Sequence, residues 1–335
     1  MMQNQERARS TTIYAGLTWD DILGTAVLAT ALTRKGFRVY VDLPTREELK
    51  GLRIVRSYAV GIQPRNGVTF ASSTAMVYSR PRRMGYVFRY GEDGHGEVVM
   101  KLSTVSSVTE VVKEYLSTIN ADVEVPKQLM DDVVAMGNGG LDKVSRIGRI
   151  IYGVCRLRCN DKTARQLLYS YAYSAINTGN LKLPQEILNL YAEYEKALKL
   201  AEVVVKEDRV VSFGPYKVVV ISSKYSDELV AGNVGYLRPL ATDILNQVCR
   251  RSSPTFLVYE DESGVHSVRA CVKFNVSIAR VVDSIPSELL DKLSVSTSAT
   301  SVSIEFLDPS IATLERALEL VGQMVARLQL KQGGG

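Results

Sequence analysis

The first hundred residues alternate short β-branched or aromatic runs with one long helical stretch, and this alternation narrows the fold more than any other feature. Residues 12–17 read as a strand. Residues 20–34 follow as a helix, because Ile22, Leu23, Ala26, Val27, Thr30 and Ala31 recur at helical spacing and give it an apolar face. Asp20 and Asp21 stand at its start, where carboxylates favour the helix dipole, and Gly36 supplies the stop. Residues 37–43 form a second strand closed by Pro44, and residues 46–50 a short helix. Further strands are expected over 54–62, 75–79, 85–90 and 97–102, then a helix over 104–118. This β-α-β-β order implies an α/β sheet with parallel members under helical cover. Such sheets place ligands at the carboxyl ends of their strands.

The rest of the chain changes character twice. Residues 121–126 read as a linker. Residues 127–201 are almost wholly helical, broken at Gly137-Asn138-Gly139-Gly140 and at Thr178-Gly179-Asn180. Beyond them a hairpin is expected over 210–213 and 216–222, turning at Gly214-Pro215. A helix over 228–250, a strand pair over 255–260 and 265–274, a short helix over 286–293, a strand over 295–306 and a closing helix over 309–331 complete the pattern. The expected division is an N-terminal α/β lobe (1–125), a helical middle belonging to it (126–205), a smaller α/β domain (206–331) and a disordered tail (332–335).

Composition removes several function classes. Hydrophobic residues make up 46% and charged residues 23%, the mix of a globular chain with a core. No apolar run approaches the ~18 residues of a membrane helix, and the first ten residues lack the apolar centre of a signal peptide, so a cytoplasmic location is expected. The net charge of +5 is compatible with nucleic acid. With two histidines, no mechanism that needs three can operate. The four cysteines lack zinc-ribbon spacing and read as buried, reduced thiols. The glycine-rich loop around His95 opens no helix and carries no P-loop lysine, and no nucleophile elbow is present.

One stretch carries a family likeness. Tyr14-Ala15-Gly16-Leu17-Thr18-Trp19-Asp20-Asp21-Ile22-Leu23-Gly24, followed by Gly36 and Val39-Tyr40-Val41-Asp42-Leu43-Pro44, resembles the first motif of the DHH phosphoesterases, the family of RecJ nuclease. That motif is a strand, then His-x-Asp-x-Asp-Gly, a helix, and a strand ending near a proline. The later order of elements also resembles the family, and Ser267-Val268-Arg269 looks like the serine-x-arginine strand of its associated domain. The resemblance implies a DHH-type N-terminal domain with a largely parallel sheet, a helical middle and a smaller DHH-associated α/β domain.

It also implies a site, and the site is degenerate. Family members hold two divalent metals, usually manganese, through clustered Asp and His side chains. Carried over position by position, the first motif's His falls at Thr18, its two Asp at Asp20 and Ile22, and its Gly at Leu23. The second motif's Asp falls near Ile62-Gln63, the Asp-His-His near Ser79-Arg80-Pro81, and the fourth motif's Asp at Asn138. No catalytic residue, metal or cofactor is therefore expected, and the plain structural role left to Asp20 is a helix N-cap. A non-catalytic RecJ-like chain resembles the archaeal partner of the GINS complex, related to the RecJ-like subunit of the eukaryotic replicative helicase. This likeness implies a replication scaffold that binds GINS and, through it, the MCM helicase, with single-stranded DNA as a further contact. The competing expectations are an active metal-dependent single-strand exonuclease or small phosphoesterase, and a stand-alone single-strand-binding protein.

Candidate nucleic-acid contacts follow from charge. Arg80, Arg82 and Arg83 lie where family members hold the scissile phosphate. In the helical middle, Arg146 and Arg149 are three apart and Arg156 lies further along; Arg158, Lys162 and Arg165 are expected to share another face. Tyr169, Tyr171, Tyr173, Tyr191 and Tyr194 lie beside this run and suit either base stacking or core packing.

Overall fold

The computed structural model describes residues 9–64, 67–79, 82–138, 141–158, 160–204, 210–214, 216–222, 240, 244–245, 249, 255–261, 264–271, 277–297 and 301–330. The chain divides into two compact units, 1–194 and 195–335.

In the first unit, β1 (Ser10–Ala15) leads into α1 (Trp19–Arg34) and β2 (Arg38–Asp42). Then come β3 (Arg53–Val55), β4 (Tyr58–Val60), β5 (Thr69–Ala71), β6 (Thr74–Ser79), β7 (Met84–Tyr90) and β8 (Gly96–Leu102). Six of these strands form one sheet in the order β2-β1-β4-β6-β7-β8. The β2-β1, β1-β4 and β4-β6 pairs are parallel, and β6-β7 and β7-β8 are antiparallel. The mixed α/β class and the largely parallel sheet are as expected.

The chain leaves β1 toward β2 on one side and returns to β4 on the other, so the order reverses between β1 and β4. A crevice opens at the carboxyl ends of the strands at such a point. α1 is buried along almost its whole length, with Ile22, Leu23, Ala26, Val27 and Leu28 at 0% exposure. It packs against the sheet on one side and against α2 (Val108–Thr118) and α5 (Lys162–Thr178) on the other. This explains why its sequence is apolar all round rather than along one stripe.

Four local expectations need correction. Residues 54–62 are not one strand: Arg56, at φ +51°, turns the chain, so β3 pairs with β5 in a separate two-stranded sheet while β4 joins the main one. The strand β5 was not anticipated. Residues 46–50 form turns, although Thr45 and Glu48 exchange hydrogen bonds of the capping type, because the segment is too short to nucleate a helix. The helix expected from 104 begins at Val108, where the Ser107 hydroxyl accepts from the Glu110 amide. In the stretch read as a linker, Ala121, Val123 and Val125 alternate into the core, which makes it a packed extended segment.

The helical middle comprises α3 (Lys127–Gly137), α4 (Arg146–Arg158), α5 and α6 (Gln185–Val204). The division between the units falls inside α6. Residues 205–209, expected to hold the second boundary, lie outside the described residues, as do 331–335. Of the tyrosines, Tyr171 and Tyr194 are buried, and Tyr169 and Tyr173 lie 6.0 Å apart ring to ring against the core, so this cluster packs rather than presenting open stacking faces.

The second unit holds β9 (Val210–Phe213), β10 (Tyr216–Ser222), β11 (Thr255–Asp261), β12 (Gly264–Cys271), β13 (Leu293–Thr297) and β14 (Ser301–Phe306) in the order β13-β14-β12-β11-β10-β9. β10 and β11 are parallel and the other pairs antiparallel, so the expected β9–β10 and β11–β12 hairpins are present. The single strand expected over 295–306 is instead the pair β13 and β14. Two helices, α7 (Ile278–Val282) and α8 (Leu314–Leu330), pack on this sheet; α8 contributes Ala317, Leu320, Val321 and Met324 to the core. The helix expected over 228–250 lies largely outside the described residues. Cys249 and Cys271, expected as reduced thiols, are joined as a disulfide. Among the described residues no helix is long and apolar enough to cross a membrane.

Candidate functional site

The crevice at the reversal point is a cavity of 540 Å³, within the range of ligand sites. The turn after β1 delivers Leu17 and Thr18 to it, α1 delivers Trp19, Asp20 and Asp21, Gly61 follows the end of β4, and β6 brings Tyr78. α3 closes one wall with Val133, Met136 and Gly137, α4 adds Tyr152, Cys155 and Arg156, and Arg46 enters from the turn after β2. The four stretches assigned to the motifs thus meet around one cavity, since Ile62, Ser79 and Asn138 each directly follow a lining residue.

Several of those positions make contacts within the fold. Thr18 is the N-cap of α1: its hydroxyl accepts from the Asp21 amide (3.2 Å), and the Asp21 carboxylate accepts from the Thr18 amide (2.9 Å). Asp20 is therefore not the cap of its own helix, which corrects the expectation. It serves a different one. Its Oδ2 accepts from the Val108 amide (2.7 Å), and its Oδ1 accepts from the Thr109 amide (3.0 Å) and hydroxyl (2.7 Å), so it closes the N-terminus of α2 from 88 residues away. Ile22 is fully buried in the core. Asn138 caps the C-terminus of α3 and accepts from Arg83 Nη2 at 3.5 Å. Ser79 ends β6; Arg80 and Pro81 lie outside the described residues.

Two residues that sequence reasoning gave other roles fill the strand ends. Asp21 lies between Gly16 and Gly61; Gly61 is at φ +75°, and a Cβ at either glycine would collide with the Asp21 carboxylate. Arg165, expected on a DNA-facing surface, is 1% exposed. Its guanidinium donates to the carbonyls of Leu43 and Pro44 beyond β2 and of Ala15 and Gly16 at the end of β1. Arg158 and Lys162 also depart from the expected shared face, because Arg158 ends α4 while Lys162 begins α5. Arg158 pairs with Glu193 and Lys162 with Glu48. Arg82, Arg83, Arg146 and Arg149 are exposed, and Arg156 faces the cavity. Among the described residues no three His, Cys, Asp or Glu side chains come together as metal ligands.

Burial pushes the Asp20 carboxyl up to about 6, against the pull of its hydrogen bonds. Burial, and then the charge of Asp20, push Asp21 up to about 7, opposed by its bonds to Thr18 and by Arg165. Because both folded values lie above the ordinary one, the native state takes up protons first as pH falls, and stability rises from neutral pH downward until it levels near the unfolded value. Between pH 7.5 and 5.5 the gain is expected to be about 2 kcal/mol. Urea unfolding across that window checks it. Asp21→Asn should flatten the slope, and an unchanged slope would remove Asp21 as its source.

No family model matches the sequence, and no curated protein sequence matches it. Solved structures do. RecJ from Thermus thermophilus in complex with Mn2+ is similar with a TM-score of 0.49 and 14% identity, over 98% of this chain and 52% of that one. This chain spans about half the length of the Thermus RecJ, then. A manganese-bound exonuclease RecJ is similar with a TM-score of 0.48 and 13% identity, over 98% and 91% of the two chains. CDC45 from Entamoeba histolytica is similar with a TM-score of 0.47 and 8% identity, over 96% and 95%. These structural neighbours are RecJ exonucleases and CDC45.

Proposed function

We propose that this chain is a non-catalytic RecJ-like replication factor that binds GINS and, through it, the MCM helicase. The observation that carries the reading is the engagement of Asp20. Both of its oxygens are held by the N-terminus of α2 and by Thr109, so the one first-motif metal ligand left in place is used to hold two helices together. Thr18, Ile22 and Asn138 supply no carboxylate or imidazole beside it. A two-metal clamp needs several hard ligands around each ion.

Contact with single-stranded DNA is assigned to Arg82, Arg83, Arg146 and Arg149, the candidate arginines that stay exposed. Binding there is expected to fall steeply with salt. The GINS contact, resting on apolar burial with a polar rim, is expected to survive it. The test is co-expression with GINS subunits followed by size exclusion at low and high salt, together with a manganese-dependent nuclease assay. Co-elution at both salts without nuclease activity is the expected result. Manganese-dependent cleavage without co-elution would establish the phosphoesterase reading instead.

A further inference from the structure

The 540 Å³ crevice of the first unit combines two kinds of wall. Leu17, Val108, Val133 and Met136 give it apolar surface, and Arg46 and Arg156 bring positive charge. Its two carboxylates are turned into the fold. Asp20 accepts three hydrogen bonds from α2. Asp21 is buried, exchanges hydrogen bonds with Thr18 and lies between Gly16 and Gly61. Arg46 is exposed, so it stands where the cavity meets solvent. Among the described residues its guanidinium makes no hydrogen bond or ion pair.

A ligand that matches these walls has an apolar body and a negative charge at its solvent end. A phosphate dianion fits less well, because Asp20 and Asp21 on the cavity wall repel it, and such repulsion is strong where water is excluded. A single carboxylate beside an apolar side chain suits both walls: the body covers the apolar surface and the charge turns toward the arginines. Protein contact surfaces are built in this way, with apolar anchors seated in pockets and arginine enriched around them.

We infer that this crevice is a docking pocket for a segment of a partner protein in which an apolar side chain is flanked by acidic residues. The inference rests on the scaffold reading for the identity of that partner, which makes GINS the carrier of the segment. The apolar anchor supplies most of the affinity, and the two arginines fix its orientation and disfavour other partners.

Cys155 provides a readout inside the pocket. It lines the cavity, is half-buried and belongs to no disulfide. The experiment measures alkylation of Cys155 by iodoacetamide in the full chain, read by mass spectrometry on tryptic peptide 150–156, with and without purified GINS. With GINS at about ten times its Kd, the rate should fall to about one tenth, the fraction left unbound. In a parallel titration, Arg46→Glu and Arg156→Glu should each weaken GINS binding about tenfold. Arg53→Glu, an exposed reversal outside the cavity lining, should leave it unchanged. Circular dichroism verifies the fold of each variant, and the Cys155 measurement on the wild type decides the matter even where one fails to fold. If GINS binds but Cys155 reacts at its original rate, or if the folded cavity variants bind like the wild type, the pocket is not the docking site and the scaffold reading stands without it. If GINS does not bind the wild type, both fall together. Protection of Cys155 by a single-stranded oligonucleotide and not by GINS would overturn the inference in favour of a nucleic-acid occupant.

Discussion

Replacing Arg165 by Met is expected to destabilise the first unit by about 3–5 kcal/mol, the usual cost of removing one partner from a buried charged cluster. The guanidinium lies 1% exposed among four carbonyls that belong to the ends of β1 and β2. A planar fork of donors can satisfy the carbonyls of two strand ends at once. Methionine has similar length and no donors, so it leaves these oxygens unsatisfied. It also removes the cation that holds down the Asp21 carboxyl, which should then rise further. Arg165→Lys should recover less than half of the loss, because one ammonium cannot reach both strand ends with fork geometry. Denaturant unfolding of the three proteins measures this. A loss below about 1 kcal/mol in the Met variant would mean that the strand ends are held by their own ladders, since that is the value of one ordinary hydrogen bond.

Arg165 also shows where sequence reading stops. At sequence level it stood in a run of cations with Arg158 and Lys162, and spacing suggested a shared face. Nothing in the local sequence says that one arginine of the run turns inward to carbonyls 121 to 150 residues away. The long-range role of Asp20 was hidden for the same reason: its partners, Val108 and Thr109, are on another helix. What could be read were features governed by short-range rules. The apolar spacing of α1, the stop at Gly36 and the hairpin at Gly214 all follow from local periodicity and turn chemistry. The break in residues 54–62 was missed because an arginine at positive φ leaves no compositional trace. The pair Gly16 and Gly61 was a signal that could have been used, since two glycines at the ends of neighbouring strands leave room for a side chain, and Asp21 takes it.

The site therefore reads as a crevice whose strand-end charges face inward. Asp21 and Arg165 occupy the strand ends, Asp20 holds α2, and the remaining space is bounded by Trp19, Tyr78, Tyr152, Arg46 and Arg156. The Asp20 carboxylate already accepts three hydrogen bonds, which leaves roughly one of its four lone-pair sites for any further partner. Capping is commonly worth about 1 kcal/mol, and a carboxylate that caps α2 while tying it to α1 should exceed that.

Reduction of the Cys249–Cys271 bond should destabilise the second unit by about 3 kcal/mol, since closing a loop of this size removes that much conformational freedom from the unfolded chain. The bond spans 22 residues, with Cα atoms 6.3 Å apart and both cysteines buried. Cys271 ends β12 between Thr255 and Ser301, so the link ties the segment containing Cys249 to the centre of the sheet. The sequence expectation of reduced thiols came from a rule about compartments, and proximity across 22 residues is invisible to such a rule. Thiol titration of the oxidised protein in denaturant should find two of the four cysteines reactive, and all four after reduction. Thermal melts with and without reductant should differ in the second unit, while the double variant Cys249→Ala/Cys271→Ala should melt at the reduced value and ignore reductant. Four reactive thiols in protein isolated under air, or melts that coincide, would mean that the two sulfurs lie close without being bonded and that packing alone holds this part of the sheet.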